Sequence, residues 1–428
     1  MAKFFLFLII VATGVSTLFA PWLTALSYVL NSLVQPQYLW PWIFDGVPIY
    51  KITAGLTAIA FLFFLSKNRG VLYIYKERQN LLLLSLWALM HCSNIFSPYK
   101  GALASVSPNV VLNTLNSIII MYFIMLPLFR SEIAVRYLCY LFILSGSFYI
   151  YWANFAYFNE EWFRFVNNRL EGPSRSPYED ANVISTLIVM CLPFMIFLFF
   201  RERQRFLKVI LVFLIPLAWH AMILFSSRAA LLASVISLIA ISYIIRSISF
   251  NILLAIAFFS FVIYQGSLLL DRTSQTIEVA QSYQEEPINP RLVSWEVGLK
   301  LIPEYPLLGA GVQMFEAAAA NHFPGETPHV AHNTFLNFSV NAGLISGFIF
   351  LSFIWMSFSR LRAARIWGLS INDVNSYALV ASSISIIGFF VCSMFLDLII
   401  FEPFYMVLMI NLIAYENVKN KLVIGQKC

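Results

Sequence analysis

The chain has 428 residues, 60% of them hydrophobic and 17% aromatic, and only 11% carry a charge. A soluble domain carries about 25% charged residues, so this composition excludes a soluble enzyme. The formal charge of +6 is therefore read by its location relative to membrane spans rather than as a nucleic-acid footprint. With a mean hydropathy of +0.79, the chain is expected to be an all-α polytopic membrane protein, a single membrane domain over 1–428. Five cysteines (Cys92, Cys139, Cys191, Cys392, Cys428) are scattered without any C-x-x-C spacing, which supports neither a disulfide framework nor a zinc site.

The N-terminus, Lys3 followed by Phe4 to Val11, imitates a signal peptide, but no small-residue cleavage site follows cleanly, and a first span is expected. Apolar runs then place spans at roughly 4–20, 22–35, 47–65, 80–96, 110–129, 134–152, 181–200, 207–225, 229–246, 250–270, 334–358, 374–395 and 397–414. Pro21 and Pro36 interrupt the first two, which count as one broken element in an expected total of about 12.

Charge sets the orientation. Lys67, Arg69, Lys76 and Arg78 fall on one side of the span series. Arg130, Arg136, Arg201, Arg203, Arg205, Lys208, Arg246, Arg360, Arg362, Arg365, Lys419, Lys421 and Lys427 join them. The positive-inside rule makes that side cytoplasmic. Glu160, Glu161, Glu171, Glu179, Asp180, Asp271, Glu278, Glu285, Glu286 and Glu326 lie opposite. Two long connections, 153–180 and 271–333, also fall on this outer side, and long loops usually carry function. Within the second, Arg291, Leu292, Trp295, Leu299 and Ile302 recur at helical spacing before Pro303 and Pro306, as in a short amphipathic helix on the membrane surface. A tight turn, Leu308-Gly309-Ala310-Gly311, follows.

Arg228 lies between two apolar runs with almost no loop, where a charge is costly unless paired or solvated. Snorkelling at the interface would explain it, yet most basic residues lie on the opposite side. Arg291 alone reads as a solvated helix start. Together with Arg228 it makes a pair of permanently charged, planar guanidinium groups suited to a pyrophosphate without a metal. His332, at the mouth of the 334–358 span, offers an imidazole that accepts a proton near neutral pH. His329 and His322 are its rivals, and the three lack the i, i+4 spacing and neighbouring acid of a metal site. Arg175, Tyr178, Asp180 and Asn182 bind a sugar or diphosphate, or merely cap a helix, with capping favoured for Asp180. Asp397 is a loose candidate partner for Arg228. P-loop, D-x-D, G-x-S-x-G and H-E-x-x-H patterns are absent.

The order Ser227-Arg228-Ala229-Ala230, Arg291 with Trp295, Pro306-Leu307-Leu308-Gly309-Ala310-Gly311, then His332-Asn333-Thr334-Phe335-Leu336 with Gly343, resembles the O-antigen ligase and O-antigen polymerase (Wzy-like) superfamily. The likeness is specific over about 225–345 and extends loosely to the whole chain; Val34-Gln35-Pro36-Gln37 and Tyr38-Leu39-Trp40-Pro41 add a weaker signal. The resemblance implies a GT-C-like membrane fold, multi-pass in the bacterial inner membrane. It implies an outer, periplasmic face bearing the active site, and the 271–333 loop carrying the catalytic motif. It further implies an undecaprenyl-diphosphate-linked glycan donor and an acceptor hydroxyl on lipid A-core, on another glycan or on a protein. No cofactor, metal or nucleic-acid partner is expected. By motif position, Arg228 and Arg291 hold the diphosphate and His332 is the catalytic histidine, with His329 three residues away as the open alternative. Arg175, Trp295, His329 and Asn333 are the expected substrate-binding residues. A ligase and a Wzy-like polymerase of O-antigen or exopolysaccharide share these motifs. A flippase or transporter, which makes no bond, is the rival class, and a structural scaffold a third.

Overall fold

A computed structural model describes residues 2–248, 250–260, 263, 290–324 and 330–425. In chain order its helices are α1 (Ala2–Phe19), α2 (Pro21–Val34), α3 (Pro36–Leu39), α4 (Pro41–Phe44), α5 (Ile49–Lys67), α6 (Arg78–Phe96), α7 (Pro108–Met125), α8 (Glu132–Phe158), α9 (Ala181–Arg201), α10 (Arg205–Leu224), α11 (Arg228–Ile245) and α12 (Phe250–Ser260). They continue as α13 (Pro290–Leu301), α14 (Phe315–His322), α15 (Thr334–Ala342), α16 (Leu344–Ile366), α17 (Val374–Ser393) and α18 (Glu402–Gly425). A two-stranded hairpin, β1 (Phe165–Val166) with β2 (Arg169–Leu170), interrupts the series after α8. The protein is an all-α polytopic membrane protein. Among the described residues eight helices are long and apolar enough to cross a bilayer: α5, α7, α8, α9, α10, α11, α16 and α17.

Local chemistry sets many of the boundaries. Proline opens α2, α3, α4 and α7, where its missing N–H costs nothing and its fixed φ suits a first turn. Ser131, Asp180, Ser227, Asn333 and Asp373 cap the helices that follow them through side-chain oxygens. The bundle closes around α9 and α17, whose residues are almost all buried. Small side chains on α17, among them Ala378, Ala381, Ser382, Ser385 and Gly388, let its neighbours approach closely, the main device for helix packing in lipid.

Two ends are distinct. At one, Asn417 donates to the Arg130 carbonyl at 3.0 Å, Arg201 to that of Asn372 at 3.2 Å, and Lys421 pairs with Asp373 at 2.7 Å. This is the basic end. Arg360, expected on this side, is buried within α16, donating to Gln79 at 2.6 Å and Asn411 at 2.8 Å. Its cost of desolvation is offset by those charge-assisted bonds.

The opposite end carries the hairpin and α13–α15. Two expectations change here. The first connection starts later than residue 153, because α8 runs to Phe158. The expected span 334–358 is broken at Gly343, which joins the short α15 to α16 at φ +85°. The break is enforced by contact: a Cβ at Gly343 would collide with the Leu307 carbonyl, while Ala310 donates to Val340 at 2.7 Å and Leu344 to Pro306 at 3.0 Å. Thus the Pro306–Gly311 turn docks on the end of α15. On α13 the expected surface stripe is open and a different face packs inward. Leu292 and Leu299 are exposed, whereas Ser294, Val297 and Leu301 are buried. Val297 and Leu301 join Ala310, Met314, Phe315, Leu336 and Val340 in a second apolar core, separate from that of the bundle. Burying a side chain such as Leu301 contributes about 1.5–3 kcal/mol, so this core anchors α13 to α15.

Candidate functional site

Three arginines from distant parts of the chain line one small cleft of about 170 Å³, with Asn182, Ser226, Ala229, Phe395 and Leu396. Arg228 arrives through a compressed turn. Ser226 adopts a left-handed conformation at φ +49° and donates from its N–H to Ile223 at 2.7 Å; Ser227 then caps α11, and Arg228 occupies the helix's first position. Arg291 enters from the start of α13. Arg169, which sequence reasoning missed, comes from β2. It donates to the Phe225 carbonyl at 3.0 Å and to Asp180 at 3.3 Å. The missed signal was Asn167-Asn168: both are left-handed (φ +49° and +57°) and form a two-residue hairpin turn between two-residue strands.

The electrostatics favour an anion. Burial, then the neighbouring Arg228 and also Arg169, push the Arg291 guanidinium below its ordinary pKa; Asp180 partly offsets this. Ala229 belongs to the first turn of α11, whose positive end reinforces Arg228 and Arg291, while the start of α9 at Asn182 is already capped by the Asp180 carboxylate. Among the described residues, no carboxylate lies within ion-pair distance of Arg228.

The histidine motif meets this cleft through its wall. His332 is half-buried and left-handed at φ +45°, a conformation that costs of order 1–3 kcal/mol and tends to be held at functional sites. Asn333 follows, buried, accepting from the Leu336 N–H at 3.1 Å as the cap of α15. Thr334 then donates to the Leu396 carbonyl at 2.8 Å and accepts from the Leu398 N–H at 3.1 Å. Leu396 is itself a cleft residue, so the His332 end of α15 is fastened to the turn that walls the arginines.

The remaining expected residues are placed as follows. Trp295 is half-buried with its ring 5.9 Å from Phe395, behind the cleft wall. The Asn333 side chain serves its helix cap through Oδ1. Arg175 is exposed and lies apart from the three arginines, lining a larger cavity. His329 lies outside the described residues, as do 264–289 of the long second connection. His322 bonds to Tyr305 at 2.8 Å, and Tyr305 to Tyr99 at 2.5 Å, away from the cleft residues. Asp180 caps α9, accepting from Asn182 at 2.7 Å. Asp397 does not pair with Arg228; its hydrogen-bonding neighbours are Asn337, the Ile399 N–H and Gln313.

Residues 213–352 match the O-antigen ligase family. That stretch of the chain is similar to the O-antigen ligase family. The matched stretch encloses Arg228, Arg291, Trp295, His332, Asn333 and the docked glycine turn, whereas Arg169 and Arg175 precede it and Phe395 to Asp397 follow it. Members of this family are membrane enzymes of the ligase and polymerase type, acting on glycans and lipid-linked substrates. A search of curated proteins returned no match. The matched stretch therefore supplies two of the three cleft arginines, and elements outside it supply Arg169 and the Phe395–Leu396 wall.

Proposed function

We propose that this protein is a membrane glycosyltransferase that moves a glycan from an undecaprenyl-diphosphate carrier to an acceptor hydroxyl of lipid A-core. The observation that carries the reading is the convergence of Arg169, Arg228 and Arg291 on one cleft beside the His332 motif. Its basic end faces the cytoplasm and the cleft faces the periplasm of a bacterial inner membrane, in keeping with the positive-inside rule.

The acceptor oxygen attacks the anomeric carbon of the first sugar from the face opposite the diphosphate. The new glycosidic C–O bond forms as the bond from carbon to the diphosphate oxygen breaks, which inverts the centre. The acceptor proton passes to His332. Negative charge grows on the departing diphosphate, and Arg228 and Arg291 stabilise it, Arg169 holding the rim through its bond to Phe225. Fixed donors of this kind bind the transition state more tightly than the ground state, which is where rate is gained. On this reading Arg228, Arg291 and the N-terminus of α11 oppose that charge without a protein-bound metal.

The test is transfer by the purified full chain in lipid, from an undecaprenyl-diphosphate glycan to lipid A-core or to a second donor, compared with His332→Ala. Product on lipid A-core that vanishes in the variant supports the ligase. A longer glycan on the carrier that vanishes in the variant replaces it with a polymerase of the same chemistry. Carrier crossing the membrane with no new bond in either protein would sink both in favour of a transporter.

A further inference from the structure

Across the Phe395–Leu398 turn from the arginines, a cavity of about 1050 Å³ opens between the end of α2, the starts of α5, α7 and α18, and the Arg175–Tyr178 stretch. Its volume is in the range of ligand sites, and its charge is of another kind. Lys51 and Arg175 are matched by Asp397 and Glu402, so its lining has no net formal charge, whereas the cleft lining has three cations and no acid. The acidic corner is built in advance. Glu402 accepts from the buried Tyr28 hydroxyl at 2.8 Å and from Tyr50 at 3.4 Å, which fixes the carboxylate at the mouth of α18.

We propose that this cavity holds the saccharide chain of the carrier-linked donor, an inference that rests on the glycosyl-transfer reading above. Each sugar hydroxyl both donates and accepts, so a saccharide needs acceptors and donors together. Glu402 and Asp397 supply the former, Arg175 and Lys51 the latter, and the Asn113 amide both. The Tyr50 ring adds an apolar face for sugar C–H groups. A prenyl chain would desolvate Lys51 and Arg175 and leave the remaining acceptor positions of Asp397 and Glu402 unfilled, which is costly. A diphosphate is better served by the arginine cleft. The two sites share a wall: Phe395 and Leu396 face the cleft, and Asp397 and Leu398 face the cavity. A glycan joined to its diphosphate thus passes from one to the other across a single turn.

The experiment fills the cavity from α7 with Asn113→Trp and, separately, Ser117→Trp; both native residues are exposed, so neither change enters the core. Full-length protein in nanodiscs is titrated with sugar-free undecaprenyl diphosphate. It is also titrated with the lipid-linked glycan extracted from cells that make this protein. The expected result is binding of the glycan-bearing lipid weakened about tenfold or more by either variant, with the sugar-free carrier held within about twofold. Equal weakening of both probes would assign the cavity to the prenyl chain and overturn the proposal, as would no weakening of either. Failure of the underlying reading has a different signature: Arg228→Ala would bind the sugar-free carrier as tightly as the native chain. In that event the glycan released from its lipid by mild acid is the deciding probe, and unchanged binding in Asn113→Trp overturns the cavity's role.

Discussion

The arginine cleft and the larger cavity occupy the same end of the bundle and share one turn, yet they solve opposite electrostatic problems. In the cleft, about 170 Å³ is ringed by three cations and the N-terminus of α11. In the cavity, about 1050 Å³ holds two cations against two acids, with the carboxylate of Glu402 gripped by two tyrosines. Concentrated charge suits a group whose charge grows during reaction, because the benefit is largest in the transition state. Balanced charge suits a chain of hydroxyls that keeps its charge throughout. On the proposed reading, a substrate with an ionic and a polyhydroxylated part meets two sites rather than one compromise.

The contrast breaks most sharply at Arg228. Arg228→Ala is expected to lower transfer by about 10²–10³ while membrane insertion and thermal unfolding stay unchanged, and a Lys replacement recovers only part because it lacks the planar fork. Turnover equal to the native chain would remove the cleft from the mechanism. Next in size is Gly343→Ala, which forces a side chain into a left-handed position against the Leu307 carbonyl. A loss of roughly 3 kcal/mol or more is expected, read as poor recovery of folded protein; a stable variant would mean that α15 and α16 can join differently.

Smaller effects probe the shared wall. Thr334→Val deletes the bonds to Leu396 and Leu398 and leaves two backbone groups of the turn without that hydroxyl, a cost of about 1–3 kcal/mol. Transfer should fall about tenfold with both probes still bound, and an unchanged rate would show that the turn needs no tie to α15. Arg169→Ala should slow transfer by less than Arg228→Ala, since its guanidinium also serves Phe225 and Asp180; the comparison of the two rates checks the order. Glu296→Ala, in an exposed pair with Lys300 on the far side of α13, should leave transfer unchanged, and a drop would place the working surface elsewhere.

Much of the site was legible as residues and little of it as geometry. Arg228 stood out because a charge between two apolar runs demands an explanation, and Arg291 and His332 followed from motif order within the stretch that matches the ligase family. Arg169 was hidden. Its hairpin is two residues per strand, too short for periodicity to register, and only the Asn167-Asn168 turn marked it. Arg175 was legible as a polar residue of the same loop, but nothing in the chain order shows that its neighbours face the other cavity. The stripe of Leu292 and Leu299 on α13 was legible and stays exposed, but the opposite contact through Val297 and Leu301 was not; that face depends on a partner, α15, whose own start is set by the Asn333 cap.

By itself the sequence determined the class of molecule, the runs that form its helices and the segregation of basic residues to one end, because these depend on composition and on neighbours along the chain. Tertiary structure decided which charges meet. Arg169, Arg228 and Arg291 are separated by as many as 122 positions, and only the packing of β2, α11 and α13 brings them to one cleft. It also decided that the apolar run after His332 is two helices rather than one. Gly343 permits the break, but the docked carbonyl of Leu307 requires it, and a collision between distant backbone segments leaves no periodic mark on the chain.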